Sequence, residues 1–318
     1  MTWYAIHPSA PITLGNLTPV GQNSGLVGCR WPPNGHQLAA CLQLPTDCQI
    51  WGPFWSIKGD LYLPLPLPVY TTSDIKGEKI PQDLYRMTYD EQGWQVRPEH
   101  QGKDVEVVGG RYLIQANAFR AFWQAGKLDR APLPIQPLPW EKLTLSHNSR
   151  EDYQVKDEGG FFAEKTTRLK SHCAIAVKII GNYTPPPDSF LGAGATPVVI
   201  KALRRNWDWL GDPCADATGA VLLTAALWEQ PKEKMSVPHP NFPIKAYAAD
   251  SPSPWQSWKR VKDRNNPQQK VGVLTPGEWL TPAGAVYLWE GESPVQTSGP
   301  LKDTFHRDAL GYGHLWLF

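Results

Sequence analysis

The sequence lacks the features that mark membrane-spanning, secreted and metal-binding proteins. No stretch of about 18 apolar residues could span a bilayer, and residues 1–8 have neither the basic region nor the long apolar core of a secretory signal. The five cysteines form no CxxC pair and no cluster with histidine at zinc spacing, which predicts reduced, mostly buried thiols and no metal or other cofactor. These absences predict a cytoplasmic protein with no membrane partner.

An excess of positive charge is also missing. The 318 residues carry 31 lysines and arginines against 30 acids, and this balance excludes a nucleic-acid binder that relies on global basicity. Any RNA contact must therefore come from a local patch. Cations beside aromatic residues are typical of surfaces that bind single-stranded RNA, and a merely solvated basic face fits the pattern equally well. Two such patches occur, one with Lys201, Arg204 and Arg205, and one with Lys259, Arg260, Lys262 and Arg264.

Proline and glycine, by contrast, are abundant. The 32 prolines and 27 glycines approach a fifth of the chain without a repeat period, which limits long helices and favours short strands joined by irregular loops. The hydrophobic share of 41% is enough for packed cores. A length of 318 residues favours two domains, and the proline-rich segment 131–140 is the predicted boundary between them.

Local patterns predict an α+β fold that is rich in sheet. Asn34 is a predicted N-cap for a short helix over 35–44, and apolar spacing predicts a second helix over 112–126. Alternating leucine and proline over 61–68 predicts an edge strand or a polyproline segment. A long loop is predicted over 11–28, and strands are predicted over 3–7, 161–169, 174–180, 196–203, 221–227, 285–289 and 313–318.

Two glycine pairs come directly before strands. Gly311 and Gly313 have backbone freedom that could hold a phosphate on main-chain N–H groups, which makes RNA a candidate partner. A tight turn before a buried strand is the alternative. Gly192 and Gly194 form the second pair, which lacks the preceding strand, following helix and third glycine of a dinucleotide-binding fingerprint, so a Rossmann fold is excluded.

A polar block at 147–152 comes before a Gly-Gly turn and the pair Phe161 and Phe162. Its His147 and Arg150 could act with the neighbouring acids as acid and base groups. An ion-paired loop before a strand is the favoured interpretation.

The order of the short blocks in this chain resembles the subunit 3 family of the Cmr complex. Members of that family are RAMP-type subunits of type III-B CRISPR-Cas effector complexes. The resemblance is spread over nearly the whole chain, and its specificity lies in the order of the blocks. The blocks are Trp31-Pro32-Pro33, Gly52-Pro53-Phe54, the leucine-proline run 61–66, residues 147–162, residues 191–194, residues 282–287 and Gly311-Tyr312-Gly313.

The resemblance implies two ferredoxin-like, RRM-related domains, over 1–140 and 141–318, with glycine-rich loops and long irregular insertions. It also implies a subunit without catalytic or metal-binding residues that binds the repeat-derived 5′ tag of the crRNA. Its partners would be the large polymerase-like CRISPR subunit, a backbone RAMP subunit and other effector-complex subunits. Combined with the two basic patches, this gives as candidate RNA-binding residues Arg150, Gly192, Gly194, Lys201, Arg204, Arg205, Lys259, Arg260, Gly311 and Gly313.

Two other functions fit the sequence. A metal-independent, crRNA-processing endoribonuclease of the RAMP type would need a general base, and His36 in the predicted first helix is the one nominated residue. A ligand-binding module, for instance for sugars, would use aromatic platforms. The chain has 15 tryptophans, among them the pairs Trp207 with Trp209 and Trp255 with Trp258.

Overall fold

The computed structural model describes residues 2–15, 25–75, 80–129, 132–148, 150–151, 154–155, 161–231, 236–256, 258–262 and 270–318. Within them lie the helices α1, Gly35–Leu42, and α2, Ala116–Ala125, and short 3₁₀ helices at Pro98–His100, Asp208–Gly211 and Asp308–Leu310. Few helices and many antiparallel strands agree with the predicted α+β class.

The strands of the described residues, in chain order, are β1 Thr2–Pro8, β2 Gly25–Val27, β3 Gln49–Ile57, β4 Asp60–Pro64, β5 Val69–Thr71, β6 Leu84–Arg86, β7 Thr88–Asp90, β8 Gly93–Gln95, β9 Glu106–Val107, β10 Tyr112–Gln115, β11 Lys127–Leu128, β12 Ile135–Pro137, β13 Trp140–Asn148, β14 Arg150–Glu151, β15 Gln154–Val155, β16 Phe161–Leu169, β17 Cys173–Ile180, β18 Asp188–Leu191, β19 Thr196–Ala202, β20 Gly219–Leu222, β21 Ala226–Leu227, β22 Ala246–Ala248, β23 Ser253–Trp255, β24 Trp258–Lys262, β25 Lys270–Leu274, β26 Glu278–Thr281, β27 Val286–Leu288, β28 Gly299–Pro300 and β29 His314–Leu317.

An antiparallel sheet of eight strands forms the centre of the fold, in the order β12-β10-β4-β3-β17-β1-β19-β18. β1 lies between β17 and β19, with Ala5 opposite both Ala176 and Lys201. The middle strands are buried on both faces, since alternate side chains enter different cores. One core contains Trp3 and α2, and the other contains Ile6 and α1.

The two predicted helices are present, with one changed boundary. α1 begins after Asn34, whose side chain accepts from the Gln37 amide while the Gln37 side chain accepts from the Asn34 amide, so the predicted N-cap is confirmed. α2 begins four residues later than predicted, because Tyr112–Gln115 is a strand paired with β4. Burial of Leu113 and Ile114 in the sheet overrides their helical spacing.

The leucine-proline run was wrongly predicted as an edge or polyproline segment. Its first part, β4, is an interior strand between β3 and β10, with Leu61 and Leu63 fully buried. Proline is tolerated because Pro64 ends the strand and Pro66 and Pro68 lie beyond it.

The C-terminal part of the chain forms a five-stranded sheet, β22-β27-β20-β29-β28, and a three-stranded sheet, β21-β26-β23. The strand predicted over 221–227 is two strands, β20 and β21, which belong to different sheets. Because β1 and β3 share a sheet with β17 and β19, the central sheet takes strands from both sides of residue 140. The division into two ferredoxin-like domains at that point stays a prediction.

The loop predicted over 11–28 contains the short strand β2, which pairs in parallel with β16, and its residues 16–24 lie outside the described residues. All five cysteines have free thiols, and burial raises the pKa of Cys41 to about 11. Among the described helices, none has the length and apolar character needed to cross a bilayer.

Candidate functional site

A groove of about 580 Å³ lies where the segment before α1, the middle of β3 and the loop before β29 meet. Aromatic rings and prolines dominate its wall, and Arg30 also lines it. We call it the tryptophan groove and define it by Arg30, Trp31, Pro32, Pro33, Gly52, Pro53, Trp55, Pro64, Trp255, Pro282, Ala283, Gly311 and Tyr312.

Five of the sequence blocks that carry the family resemblance contribute to this groove. Trp31, Gly52, Pro64, Pro282 and Tyr312 each come from a different block, although they are far apart in the sequence. Strand pairing and the contact between the loop before β29 and the backbone of β3 bring them together. A pattern that is dispersed along the sequence therefore forms one continuous surface.

Gly311 makes this convergence possible. Its φ of +79° lies in the left-handed region, and a Cβ placed on it would lie 2.6 Å from the Gly52 carbonyl oxygen. The Gly311 amide donates to the Asp308 carbonyl, and the Gly313 amide donates to the Ala225 carbonyl, each at 3.0 Å. These two N–H groups have partners inside the chain, so the turn shapes the groove through close backbone packing. Contact of Gly311 and Gly313 with RNA stays a prediction.

The other predicted glycine pair lies at the opposite edge of the central sheet, in the turn between β18 and β19. Gly192 has a φ of +83° and packs against the Thr13 carbonyl, to which the neighbouring Ala193 amide donates at 2.8 Å. Gly194 is exposed, with open space around its Cα. The structure therefore does not bring this pair to the tryptophan groove.

The first basic patch lies near the same edge of the central sheet, on β19 and the residues that follow it. Lys201, on β19, and Arg204 and Arg205, which follow it, are exposed. Arg205 forms an ion pair with Asp60, whereas Arg204 has no ion-pair partner among the described residues. Lys201, which has no ion-pair partner among the described residues either, and Arg204 are therefore the members of this patch whose charges are available to a phosphate.

We expect the double variant Arg204→Ala with Arg205→Ala to weaken RNA binding and to reduce its salt dependence. For a single strand, each lost phosphate contact lowers the slope of log K against log salt by about 0.7. Arg204→Ala alone should account for most of the change, because Arg205 is already paired. Fluorescence anisotropy at several salt concentrations measures the slope. Arg168→Ala, an exposed arginine paired with Glu141, is the matched control, and an unchanged slope in the double variant would remove the patch from the interface.

The second basic patch lies next to the tryptophan groove along the chain. Trp255 lines the groove, and Lys259 and Arg260 follow on β24, which pairs with β25 as a hairpin with Arg260 opposite Gly272. Arg150 begins the short strand β14. Lys262 ends β24, and Arg264 lies outside the described residues.

The polar block is not the predicted loop, because His147 lies in β13 and Arg150 in β14. The Nε2 atom of His147 lies 3.3 Å from the Glu164 carboxylate, and its ring stacks on Phe162 at 5.1 Å. Both contacts join the paired strands β13 and β16, so they stabilise the pairing of the two strands.

His36, the nominated general base, lies beside the groove. Its Nδ1 atom is 3.0 Å from the Tyr312 hydroxyl, and its ring centroid is 5.6 Å from that of Trp255. Burial between these rings, together with the nearby Arg307 guanidinium, lowers the pKa of His36. Arg307 is held by Glu278 and Asp303, so its charge is largely compensated.

Sequence reasoning missed the hydrogen-bonding capacity of the groove. The indole N–H groups of Trp31 and Trp255 are buried and have no acceptor among the described residues. The indole N–H groups of Trp3, Trp123 and Trp228, which lie outside the groove, are buried without an acceptor in the same way. No local signal in the sequence distinguishes Trp31 and Trp255 from the other tryptophans. Within the described ranges, no group of three or more His, Cys, Asp or Glu side chains is arranged to hold a metal ion.

No family model and no curated protein matches the chain. Among solved structures, a chain of the Type III-B Cmr-beta bound to cognate target RNA aligns with a TM-score of 0.49 and 11% identity, covering 98% of this chain and 96% of that one. A chain from Cmr-beta bound to cognate target RNA and AMPPnP gives 0.47 and 12%, covering 90% and 86%. A chain of the Csm3-Csm4 subcomplex of a type III-A CRISPR-Cas interference complex gives 0.37 and 11%, covering 100% and 98%. These low similarities assign the chain to no family.

Proposed function

We propose that this protein is a non-catalytic subunit of a type III-B CRISPR-Cas effector complex and that its tryptophan groove binds the 5′ repeat-derived tag of the crRNA. The convergence of five separate blocks of the family resemblance on one groove is the observation that carries this proposal. A structural role alone would require each block to fit its own surroundings, whereas a shared ligand accounts for their meeting on one surface.

The chemistry of the groove suits single-stranded RNA. Unpaired bases stack on aromatic rings, and Trp31 and Tyr312 supply such rings beside prolines that keep the backbone rigid. The indole donors of Trp31 and Trp255 can meet carbonyl oxygens and ring nitrogens of bases, or ribose oxygens. Arg30, which donates to the Gln256 carbonyl at 3.4 Å, adds positive charge for the phosphates.

The partner subunits belong to the same proposal. Contact with the large polymerase-like subunit and with a backbone RAMP subunit needs exposed apolar surface, and Phe190 and Phe305 are 63% and 67% exposed. The two ferredoxin-like domains and a cytoplasmic location are also proposed on the resemblance.

The test is to purify the tagged protein from its native cells, sequence the bound RNA and identify the co-purifying proteins. We expect short RNAs that share one 5′ tag, together with a large polymerase-like CRISPR protein. Trp31→Ala should reduce the recovered tag RNA by about tenfold or more, because base stacking on an aromatic ring is lost. Trp279→Ala, which removes a partly exposed tryptophan outside the groove, is the control. Protein free of RNA and partners would contradict the proposal and favour the ligand-binding module.

A processing endoribonuclease is a second candidate, favoured by the position of His36 beside Tyr312 and Trp255. A neutral imidazole at this place could accept the proton of a ribose 2′-hydroxyl. Incubation of labelled repeat RNA with the purified protein tests it. Discrete products that disappear in His36→Ala would establish cleavage and contradict the non-catalytic role, whereas intact RNA would exclude it.

A further inference from the structure

A second concave surface lies at the other end of β29 from the tryptophan groove, and the four-residue strand spans about 10 Å at the usual rise per residue. It has two lobes of about 360 and 290 Å³. Both lobes are lined by Arg86, Trp123 and Phe318, so they meet at these three residues. We call this surface the arginine groove. Among the described residues, Val286, in the second lobe, is the one lining residue of this surface that belongs to a block of the family resemblance.

Two guanidinium groups lie over tryptophan rings in the first lobe. Arg86 is 5.0 Å from the centroid of the Trp123 ring, and its Nη1 atom donates to the Trp123 carbonyl at 2.6 Å. Arg120 is 6.0 Å from the centroid of the Trp209 ring. Cation–π contacts of this kind orient planar donors beside aromatic surfaces, an arrangement that suits both phosphates and bases.

The charges in this groove are not balanced by acids. Asp212 is the one acid among the described lining residues, and it pairs with Arg120 at 3.8 Å with both side chains half exposed. Arg86 has no carboxylate partner in the described part of the chain. Arg86 and Arg97 both lie close to Gly126. A Cβ placed on Gly126 would be 3.9 Å from the Arg86 Nε atom and 2.9 Å from the Arg97 Nη2 atom. Arg97 is paired with Glu99 at 3.3 Å, so Arg86 is the cation of this cluster whose charge favours an anionic ligand.

Arg86 and Arg97 also have a structural role at the end of α2. Arg86 and Arg97 donate to the Trp123 and Ala125 carbonyls in the last turn of α2, where positive charge stabilises the helix end. That role accounts for two guanidinium groups at the helix end. It does not account for Arg120, or for the aromatic second lobe.

The second lobe presents aromatic rings from the hairpin of β7 and β8. Tyr89 is 37% exposed and lies edge-on to Trp94, with ring centroids 5.5 Å apart. The indole N–H of Trp94 donates to the Tyr247 carbonyl at 3.1 Å, which fixes the orientation of the ring. An ordered, partly exposed ring next to unbalanced positive charge is a stacking platform for a base.

We propose that the arginine groove binds two successive nucleotides of single-stranded RNA, with the linking phosphate at Arg86 and one base in each lobe. A single strand is required because bases paired in a duplex cannot enter the lobes. This inference goes beyond the proposed function, since it rests on the charges and rings of a different surface and not on the CRISPR assignment.

Photo-crosslinking of the full-length protein to a single-stranded RNA that contains 4-thiouridine, with mass-spectrometric mapping, tests both grooves separately. We expect crosslinks near Tyr89 or Trp94 in addition to any near Trp31 or Tyr312. Crosslinks confined to the tryptophan groove would overturn this proposal and leave the proposed function standing. Crosslinks confined to the arginine groove would support it and contradict the proposed site of tag binding, and a protein without any crosslink would overturn both.

Affinity measurements with the same RNA give an independent test. We expect Arg120→Gln and Tyr89→Ala each to weaken binding about fivefold, because each removes a contact to a base, Arg120 in the first lobe and Tyr89 in the second. Both side chains are exposed, so both variants should fold with an unchanged midpoint of thermal unfolding. Arg111→Gln, which removes the same charge from an exposed pair with Glu106 outside both grooves, is the matched control. Equal affinities in all three variants would overturn the proposal.

Discussion

Replacement of Gly311 by alanine is expected to lower the free energy of unfolding by about 3 kcal/mol or more. The φ of +79° is strained for any residue with a Cβ, at a cost of about 1–3 kcal/mol. The new methyl group would also lie 2.6 Å from the Gly52 oxygen and 2.9 Å from the Ile50 oxygen. Because both atoms belong to the backbone of β3, relief requires the loop and the strand to separate, which adds about 1–3 kcal/mol. Chemical denaturation monitored by tryptophan fluorescence measures the change.

Gly194→Ala is the matched control for this prediction. Gly194 has open space around its Cα and no positive φ, so the substitution should change stability by less than about 0.5 kcal/mol. A similar loss of stability in both variants, or none in Gly311→Ala, would mean that the loop before β29 does not pack against β3. The tryptophan groove would then lack the contact that forms it.

The second large effect is a loss of stability as the pH falls from about 6.5 to about 4. His314 is fully buried, and this burial, with a smaller contribution from Lys178, lowers its pKa from 6.5 to about 4. Between these values the unfolded chain binds a proton that the folded chain does not, so acidification favours unfolding. The loss in the free energy of unfolding is absent above pH 6.5, grows as the pH falls, and reaches its full value of about 3 kcal/mol near pH 4.

A comparison with His314→Phe isolates this effect. The variant loses the hydrogen bond between His314 Nε2 and the Leu210 carbonyl, so it should be less stable at pH 7. Its stability should nevertheless fall less between pH 6.5 and 4 than that of the native protein. His7 and His36, whose pKa values are also lowered by burial, keep contributing in both proteins. An identical pH profile for the two proteins would show that His314 is not held neutral by the fold.

Features encoded by neighbouring residues were predictable from the sequence. The capping box of α1 is formed by Asn34 and Gln37, so four residues of sequence suffice to place the start of the helix. β29 was predictable for the same reason, because a turn directly precedes an apolar run. The order of the strands was not, since β4 and β10 pair through residues that are about 50 positions apart.

The two candidate grooves could be predicted from the sequence only in part, for the same reason. Single blocks such as Trp31-Pro32-Pro33 could be singled out, but their meeting at Tyr312 depends on backbone contacts between Gly311 and β3, which no spacing reveals. Of the arginine groove, the sequence singles out Trp209 alone and predicts neither arginine. Arg86 and Arg120 belong to different elements, and only tertiary packing brings them near Trp123 and Trp209.

The position of β29 has a consequence for how the two grooves would cooperate. A hydrogen-bonded strand hardly stretches, so β29, which lies between the turn that contains Tyr312 and the residue Phe318, acts as a spacer of fixed length. Two modest sites on such a spacer behave as one strong site for a ligand that reaches both, because binding at the first sets a high effective concentration at the second. An RNA that is too short to reach both grooves gains no affinity from the presence of the second groove. The strand would thereby select RNA by its length, independently of the sequence of its bases.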